Sequence, residues 1–239
     1  MKIIGIITAR GGSKRVPRKN VRAFLGKPLL AWSVEAGLKS KTIKRWILST
    51  DDSEIAEIGR KYGAEVPFMR PKELAFDTST SLDVLQHAAL WLKEKEKKIP
   101  DWMVLLEPPS PGRQPFHIDE VASIIEEKNN EIDSICGVSE LLGNLSAHKS
   151  LKIKSDKTLV RYYDDAPFRS LIFRNQDVPP SYFINSAIYA FKVSKMLSNP
   201  PSLWGDRVRA YVMDSKYAID IDTPEDWIVG EAKMKELLR

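Results

Sequence analysis

The chain has 239 residues, of which 43% are hydrophobic and 29% charged, and its net charge at pH 7 is +5. This composition is typical of a globular protein with one large α/β domain, or one domain with a small appendage. Cys136 is the only cysteine, which excludes an intrachain disulfide, and its apolar neighbours predict a buried structural thiol. We expect neither a signal peptide nor a membrane span, and therefore a protein of the reducing cytoplasm.

The basic balance is compatible with nucleic acid, an acidic membrane surface or a polyanionic small substrate as the partner. Much of the excess charge lies in a single loop. The chain carries no nucleic-acid-binding motif and no basic stripe interleaved with aromatic residues. We therefore expect no nucleic-acid partner and no membrane partner.

The first third of the chain alternates between strand and helix patterns. Residues 3–7 predict a buried parallel strand, followed by a basic loop, a turn at 24–27 and an amphipathic helix that begins at Pro28 and ends near Ser40. A second strand over 45–50, a helix capped by Asp52 or Ser53 and ended by Gly63, and a third strand over 65–69 follow. This order predicts a parallel sheet with right-handed crossovers, whose ligands bind at the carboxyl ends of the strands.

The rest of the chain continues the pattern with one interruption. We predict a helix from Thr80 or Ser81 with a charged tail at 93–98, strands at 102–106, 132–138, 184–191, 209–213 and 217–221, and helices at 117–128, 193–197 and from Thr223 to about 238. Three prolines make 107–113 a stiff loop. Residues 139–184 have a weak pattern, which indicates an extension with a few antiparallel strands or a flexible surface excursion. The fold class is thus α/β, with a Rossmann-like, doubly wound, mostly parallel sheet in a single domain over 1–239.

The loop after the first strand has the composition of a phosphate site. Gly11 and Gly12 let the backbone turn into φ values that other residues avoid, and their amides can face an anion. Five cations lie within ten residues, namely Arg10, Lys14, Arg15, Arg18 and Lys19. A loop of free amides surrounded by cations suits a polyphosphate. The alternative is an ordinary strand-to-helix turn with a solvated basic face.

Two segments of this loop carry a family resemblance. Residues 9–15, Ala-Arg-Gly-Gly-Ser-Lys-Arg, and 17–20, Pro-Arg-Lys-Asn, resemble the signature of the acylneuraminate cytidylyltransferases, which are the CMP-sialic acid synthetases and their relatives. Later segments are similar to the family in the family's order, at 49–52, 70–74, 77–78, 108–113, 185–189 and 220–226. The resemblance covers essentially the whole chain. It implies a nucleotide-diphospho-sugar transferase fold and Mg²⁺-dependent transfer of CMP from CTP to an acidic sugar, a sialic acid-like nonulosonic acid, with release of pyrophosphate. It also implies a homodimer formed through 139–184.

The resemblance assigns roles to the residues around the loop. It places Arg10, Lys14, Lys19 and Asn20 on the triphosphate and ribose, and Ala9, Arg70 and Ser81 around the cytosine, while Gly11, Gly12 and Ser13 complete the nucleotide-binding loop. Arg10, Lys14, Lys19 and Asp222 are the expected catalytic residues. Arg70 fits because a guanidinium can stack on a base or donate to its carbonyl, and the alternative is a surface salt bridge with Glu73.

Asp220 and Asp222 are the best candidates for the metal. In an extended segment, residues two apart point to one face, and two carboxylates there leave coordination positions for phosphate and water. The alternative is that Asp222 caps the last helix. The resemblance places the family's Mg²⁺ on this Asp-x-Asp, whereas Asp51 and Asp52 form a weaker pair.

The acceptor half departs from the family pattern. Where the family has Gln, this chain has Glu107, and only Arg174 remains of a pair of arginines. Losing an amide and an arginine weakens a carboxylate pocket. We therefore expect an acceptor that differs from sialic acid, either another nonulosonic acid or a less acidic molecule. The acceptor-binding candidates are Glu107, Ser110, Arg113, Arg174 and Asn185, with Arg113, Arg169 or Arg174 able to supply a replacement cation.

Two other functions are also compatible with the sequence. The same fold serves other nucleotides and acceptors, as in a guanylyltransferase or a phosphonate cytidylyltransferase. A non-catalytic nucleotide-binding module is the alternative of a different class, and the retention of both aspartates argues against it, since binding alone needs no metal pair. The three histidines form no credible nucleophilic triad with any serine.

Overall fold

The computed structural model describes residues 1–141 and 143–239. The first half is built from β1 (Ile3–Thr8), β2 (Ala23–Phe24), β3 (Lys27–Pro28), α1 (Leu29–Leu38), β4 (Trp46–Ser49), α2 (Ser53–Lys61), α3 (Ser81–Glu96), β5 (Trp102–Leu106) and α4 (Pro115–Lys128). The second half is built from β6 (Ser134–Glu140), β7 (Leu151–Ile153), β8 (Leu159–Arg161), β9 (Tyr182–Lys192), α5 (Val193–Met196), β10 (Val208–Val212) and α6 (Pro224–Leu237).

A six-stranded sheet runs through the molecule in the order β10-β6-β9-β5-β1-β4. β1 pairs in parallel with β4 and β5, and β6 pairs in parallel with β10. In this sheet, as far as the structure describes it, β9 is the strand that runs antiparallel to its two neighbours, β5 and β6. The predicted mostly parallel sheet is confirmed.

Helices cover both faces of this sheet. Side chains of α1, α2 and α4 share one apolar core with Ile7 and Val104, whereas α3 and α5 share the other with Ile6 and Leu105. Successive residues of a strand point to opposite faces, so each buried strand feeds both cores. The near-continuous apolar runs of β1 and β5 follow from this double burial, and the doubly wound fold is confirmed.

A third, smaller core lies beyond the carboxyl ends of the strands. It joins Val16 of the basic loop to Ile219 and Ile221, and α6 closes it with Trp227 and Met234, all at most 6% exposed. The two parts of the chain that carry the predicted phosphate and metal residues are therefore held together by apolar packing.

Two predicted strands are wrong. Residues 65–69 make only one isolated parallel bridge, between Ile47 and Glu65, because the chain leaves the sheet edge at once. Residues 217–221 follow a 3₁₀ turn at Ser215–Tyr217 and pair with no strand, because their apolar residues pack under α6 instead. Helix α4 begins at Pro115, two residues before the predicted start, since Gln114 caps it and His117 accepts the Gln114 amide.

The segment 139–184 leaves the main sheet as an excursion. It contains a separate antiparallel hairpin of β7 and β8 and short 3₁₀ turns, which agrees with the few antiparallel strands expected there. Its first and last residues belong to β6 and β9, so the excursion is anchored on two adjacent strands. Among the described residues, no helix is both long and apolar enough to cross a membrane.

Candidate active site

A cleft of about 510 Å³ opens at the carboxyl ends of β1 and β5. It is lined by the basic loop, the connection before α3, the start of that helix, the residues after β5 and one late aspartate: Thr8, Arg10, Ser13, Lys14, Arg15, Val16, Lys19, Asn20, Arg70, Leu74, Phe76, Asp77, Ser79, Thr80, Ser81, Val84, Glu107, Pro108, Pro109 and Asp222. This is the edge of a parallel sheet where ligands bind. Of the predicted nucleotide residues, Ala9, Gly11 and Gly12 lie outside this lining.

The glycines of the basic loop do not act as predicted. Neither Gly11 nor Gly12 has a positive φ, and the left-handed residue of the loop is Arg18, at φ 56°. The Gly11 amide donates to Oδ1 of Asp51 at 3.1 Å, so it does not face the cleft. Gly11 is required for another reason, because a Cβ there would lie 2.6 Å from Oδ2 of Asp52. A Cβ on Gly12 would meet open space.

The charge of the cleft therefore comes mainly from side chains. Arg10 pairs with Asp77 at 2.8 Å, and Lys14 pairs with the other oxygen of the same carboxylate. These two cations hold the pKa of Asp77 below its usual value. Arg18 is turned away, since it pairs with Asp52, the residue that caps α2. Of the two residues predicted to cap α2, Asp52 and Ser53, the structure shows Asp52 as the N-cap.

Lys19 connects the basic loop to the end of the chain. Its ammonium donates to Oδ1 of Asp222 at 2.9 Å and to the carbonyl of Ile221 at 2.7 Å. Arg15 lies 3.5 Å from the other carboxylate oxygen. Asp222 does not cap α6, because Thr223 is the N-cap and Asp226 completes a capping box. The capping alternative for Asp222 is wrong, and the carboxylate faces the cleft.

Three carboxylates act on one another beside this contact. Desolvation and the charge of Asp222 raise the pKa of Asp220, which lies just outside the cleft lining. Desolvation and the charge of Asp220 raise the pKa of Glu107 to about 7, with smaller opposing effects of Arg113 and Lys19. Like charges held close together in a partly dry site favour a bound cation.

The donor chemistry of Asp220 and Asp222 fits Mg²⁺. Both offer hard oxygen ligands on either side of Ile221, which is fully buried and holds the two side chains at the edge of the cleft. In the described part of the chain, no group of three or more His, Cys, Asp and Glu side chains has a metal-binding arrangement. Mg²⁺ is commonly held by one or two carboxylates together with substrate phosphates and water.

Arg70 is buried in the cleft wall without a counter-ion. It is 6% exposed, and it donates to the carbonyls of Ser49 at 2.6 Å and Leu74 at 3.3 Å. Burial lowers its pKa to about 10. Its Nε has no partner, and no described carboxylate pairs with it, so the alternative salt bridge with Glu73 is not formed. A buried guanidinium nitrogen without a partner carries a cost that a ligand acceptor reaching it would remove.

Of the predicted acceptor residues, Glu107 alone lines the cleft. Ser110, Arg113 and Asn185 are each at most 2% exposed. Arg113 donates to the carbonyl of Ala187 and to Oγ of Ser33, and Ser110 donates to the carbonyl of Ser186, so both fasten the proline-rich loop. Because Ser110, Arg113 and Asn185 are buried, they stabilise the fold and do not reach the cleft. Arg174 is exposed on the excursion, outside the cleft.

The apolar side of the cleft was not predicted from the sequence. Leu74, Phe76 and Val84 line it, and Phe76 is 61% exposed. Phe76 and Arg70 thus line the same cleft, and an exposed aromatic face there can pack against a flat ring in an offset or edge arrangement. Phe76 lies in a polar connection without periodicity, so only its isolation among polar residues could have indicated it.

The cleft has the features of a nucleotidyltransferase site, and comparison with known proteins agrees. A family model described as Cytidylyltransferase matches residues 4–233. CMP-N,N'-diacetyllegionaminic acid synthase of Legionella pneumophila is 34% identical over 98% of this chain and 97% of that protein. Pseudaminic acid cytidylyltransferase of Campylobacter jejuni is 32% identical over 95% and 93%.

A solved structure of CMP:2-keto-3-deoxy-manno-octonic acid synthetase in complex with CTP has the same fold. Its TM-score is 0.71 at 17% identity, over 99% of this chain and 100% of that one. The chain belongs to the cytidylyltransferase family, as the motifs predicted, and is a nucleotidyltransferase enzyme.

Proposed function

We propose that the protein transfers CMP from CTP to a hydroxyl of a nonulosonic acid, with release of pyrophosphate. The observation that carries the proposal is the contact of Lys19 with Asp222, which brings the basic loop and a late carboxylate together at one cleft. Relatives named for legionaminic, pseudaminic and N-acylneuraminic acids all support an acceptor of this class. The altered family positions at Glu107 and Arg174 favour an acceptor other than sialic acid.

The cations and the carboxylates of the cleft have different roles in nucleotidyl transfer. Arg10, Lys14 and Lys19 bind the triphosphate and neutralise the charge that grows on the leaving pyrophosphate. Asp220 and Asp222 would hold Mg²⁺, which would supply neutralisation of phosphoryl charge. Arg70 and Phe76 hold the base, the guanidinium by donating to it and the ring by covering it. The acceptor oxygen forms its bond to the α-phosphorus, the bond from that phosphorus to the pyrophosphate oxygen breaks, and the hydroxyl proton is released to solvent.

We also propose that the chain acts as a homodimer through the excursion at 139–184. Large apolar residues stand exposed on it, among them Leu145 at 76%, Ile153 at 70%, Tyr162 and Phe173 at 63%, and Ile184 at 57%. A group of exposed apolar side chains on one segment is typical of a protein interface. Light scattering of the purified chain should give twice the monomer mass of 27.1 kDa, and a monomer at micromolar concentration contradicts this proposal.

Pyrophosphate release tests the reaction. The purified protein is supplied with each of four nucleoside triphosphates, with and without Mg²⁺, across a panel of N-acetylneuraminic, legionaminic, pseudaminic and keto-deoxyoctonic acids. We expect turnover with CTP and Mg²⁺ and faster turnover with a diacetamido nonulosonic acid than with N-acetylneuraminate. Equal or better use of N-acetylneuraminate contradicts the altered acceptor, and turnover with another nucleotide in place of CTP contradicts the reaction.

A further inference from the structure

Ser186 has a backbone conformation that serine rarely adopts. Its φ is 55°, in the left-handed region, although it lies within the strand β9. A Cβ makes this conformation costly for every residue except glycine. A strained residue of this kind beside a candidate active site points to a function of its side chain.

An irregularity of β9 accompanies this conformation. The pairing of β9 with β6 changes register between Cys136 and Val138, so β9 carries extra residues opposite Gly137. Gly137 leaves them room, since a Cβ on it would lie 2.7 Å from the carbonyl oxygen of Ile188. A bulge turns a side chain out of the regular alternation of a strand, and bulges are common next to active sites.

Buried contacts fix the bulge on both sides of Ser186. Oδ1 of Asn185 accepts from the amide of Ala187 at 3.1 Å, and Nδ2 of the same side chain donates to Oγ of Ser139 at 3.0 Å. The carbonyl of Ser186 accepts from Oγ of Ser110 at 2.9 Å. Asn185 and Ser110 are at most 1% exposed. The direction of the Ser186 side chain is therefore set by its surroundings.

The hydroxyl of Ser186 reaches Asp220. It hydrogen-bonds the carboxylate, and this bond opposes the rise in the pKa of Asp220 that desolvation and the charge of Asp222 cause. The same side chain hydrogen-bonds Tyr189. A hydroxyl donates one hydrogen and accepts through its oxygen, so it can donate to the carboxylate while the phenol donates to it. The carboxylate of Asp220 is thereby oriented within the chain itself.

We propose, on the basis of the proposed function, that Ser186 is a positioning residue: its hydroxyl orients the carboxylate of Asp220 for the Mg²⁺ that Asp220 and Asp222 would hold. Carboxylates that bind metals are themselves hydrogen-bonded, and loss of such an outer partner weakens metal binding about 10- to 100-fold. Glycine would suit the backbone at this position and leave Asp220 without its donor.

The test compares Ser186→Ala with Ser186→Gly, which both remove the hydroxyl, although only the second relieves the backbone. Mn²⁺ binding, measured by electron paramagnetic resonance of the free ion, needs no turnover and should weaken about tenfold or more in both variants. Ser186→Gly should nevertheless melt about 2–4 °C above Ser186→Ala, because glycine adopts a positive φ without strain. Ser123→Ala, which removes an exposed hydroxyl on α4, is the control and should bind Mn²⁺ like the wild type.

Three results overturn the proposal. Either variant of Ser186 binds Mn²⁺ as tightly as the wild type, or Mn²⁺ affinity follows the melting temperature and falls less in Ser186→Gly than in Ser186→Ala, or the two variants melt at the same temperature. Asp222→Asn tests the metal site itself. If this variant binds Mn²⁺ like the wild type, the metal part of the proposed function fails and this inference fails with it. Loss of binding in Asp222→Asn together with any of the three results removes the inference alone.

Discussion

The ammonium of Lys19 donates a hydrogen bond of 2.9 Å to Oδ1 of Asp222, a residue 203 positions further along the chain. Lys19 belongs to the basic loop after the first strand, and Asp222 directly precedes the N-cap of the last helix. Val16, Ile221 and Trp227 pack together in the small core, which joins the two segments that make this contact. A cation for phosphate and a carboxylate for metal are thereby positioned by the same packing.

Removing the charge of Lys19 tests this contact. Its side chain is 12% exposed, so Lys19→Met fits the same space and leaves Asp222 with Arg15 alone. We expect kcat/KM for CTP to fall about 100-fold or more, the size found when one preorganised donor to a developing charge is lost. Lys61→Met, at the exposed end of α2, is the control and should have full activity. Retention of wild-type kinetics by Lys19→Met would exclude a role for this lysine in transfer.

The two adjacent glycines of the loop should respond differently to alanine. Gly11→Ala brings a Cβ within 2.6 Å of Asp52, the cap of α2, so we expect a loss of about 1–3 kcal/mol in the free energy of unfolding. Gly12→Ala points into open space and should unfold like the wild type. Urea denaturation of both variants measures this difference, and equal stability of the two would contradict the close approach at Gly11.

Asp77 pairs with two of the cations that we propose bind the triphosphate. Its carboxylate pairs with Arg10 and Lys14 in the same cleft, although it is 48% exposed. Asp77→Asn frees both cations, and we expect the KM for CTP to fall a few-fold, because exposed ion pairs are weak but both partners are released. Glu73→Gln, exposed on the same segment, is the control. A KM for CTP that rises in Asp77→Asn would indicate that the carboxylate assists binding instead.

His117 should make the protein sensitive to mild acid. It is 2% exposed, and burial, followed by the nearby charge of Arg113, lowers its pKa to about 4. In the unfolded chain the imidazole takes up its proton near pH 6.5, so the unfolded state binds more protons and stability is lost as the pH falls from 6.5 to 4.

The variant His117→Asn isolates that loss, because an amide oxygen can still accept the Gln114 amide. Between pH 7 and pH 5 the unfolding free energy of the wild type should fall about 2 kcal/mol more than that of the variant. Urea denaturation at the two pH values measures the difference. The same pH dependence in both proteins would show that His117 is protonated while folded.

Local patterns in the sequence were sufficient for most of the fold. The apolar runs of β1 and β5 and the start of α6 at Thr223 are short-range signals, and each was predicted from its neighbours. The cap of α2 was narrowed to Asp52 or Ser53, of which the structure shows Asp52. Residues 217–221 were predicted wrongly as a strand, because a short apolar stretch packs equally well under a helix. Only tertiary structure decides between the two.

The site was predicted in part. The cations and late aspartates were found through motifs, but the burial of Arg113 and Asn185 and the use of the Gly11 amide by Asp51 depend on contacts between distant segments. Phe76 was missed for the same reason, since a single exposed ring has no periodicity to detect. Sequence patterns indicate which residue types are present, whereas the three-dimensional contacts decide which of them remain available to a ligand.

A crystal structure with a non-hydrolysable CTP analogue and Mn²⁺ in place of Mg²⁺ is the most direct test of the site. Anomalous scattering locates the metal independently of any activity. We predict one Mn²⁺ peak bound by carboxylate oxygens of Asp220 and Asp222 and by phosphate oxygens, with Lys19 contacting the triphosphate. A triphosphate bound outside the cleft, or a metal that binds neither aspartate, would contradict the account.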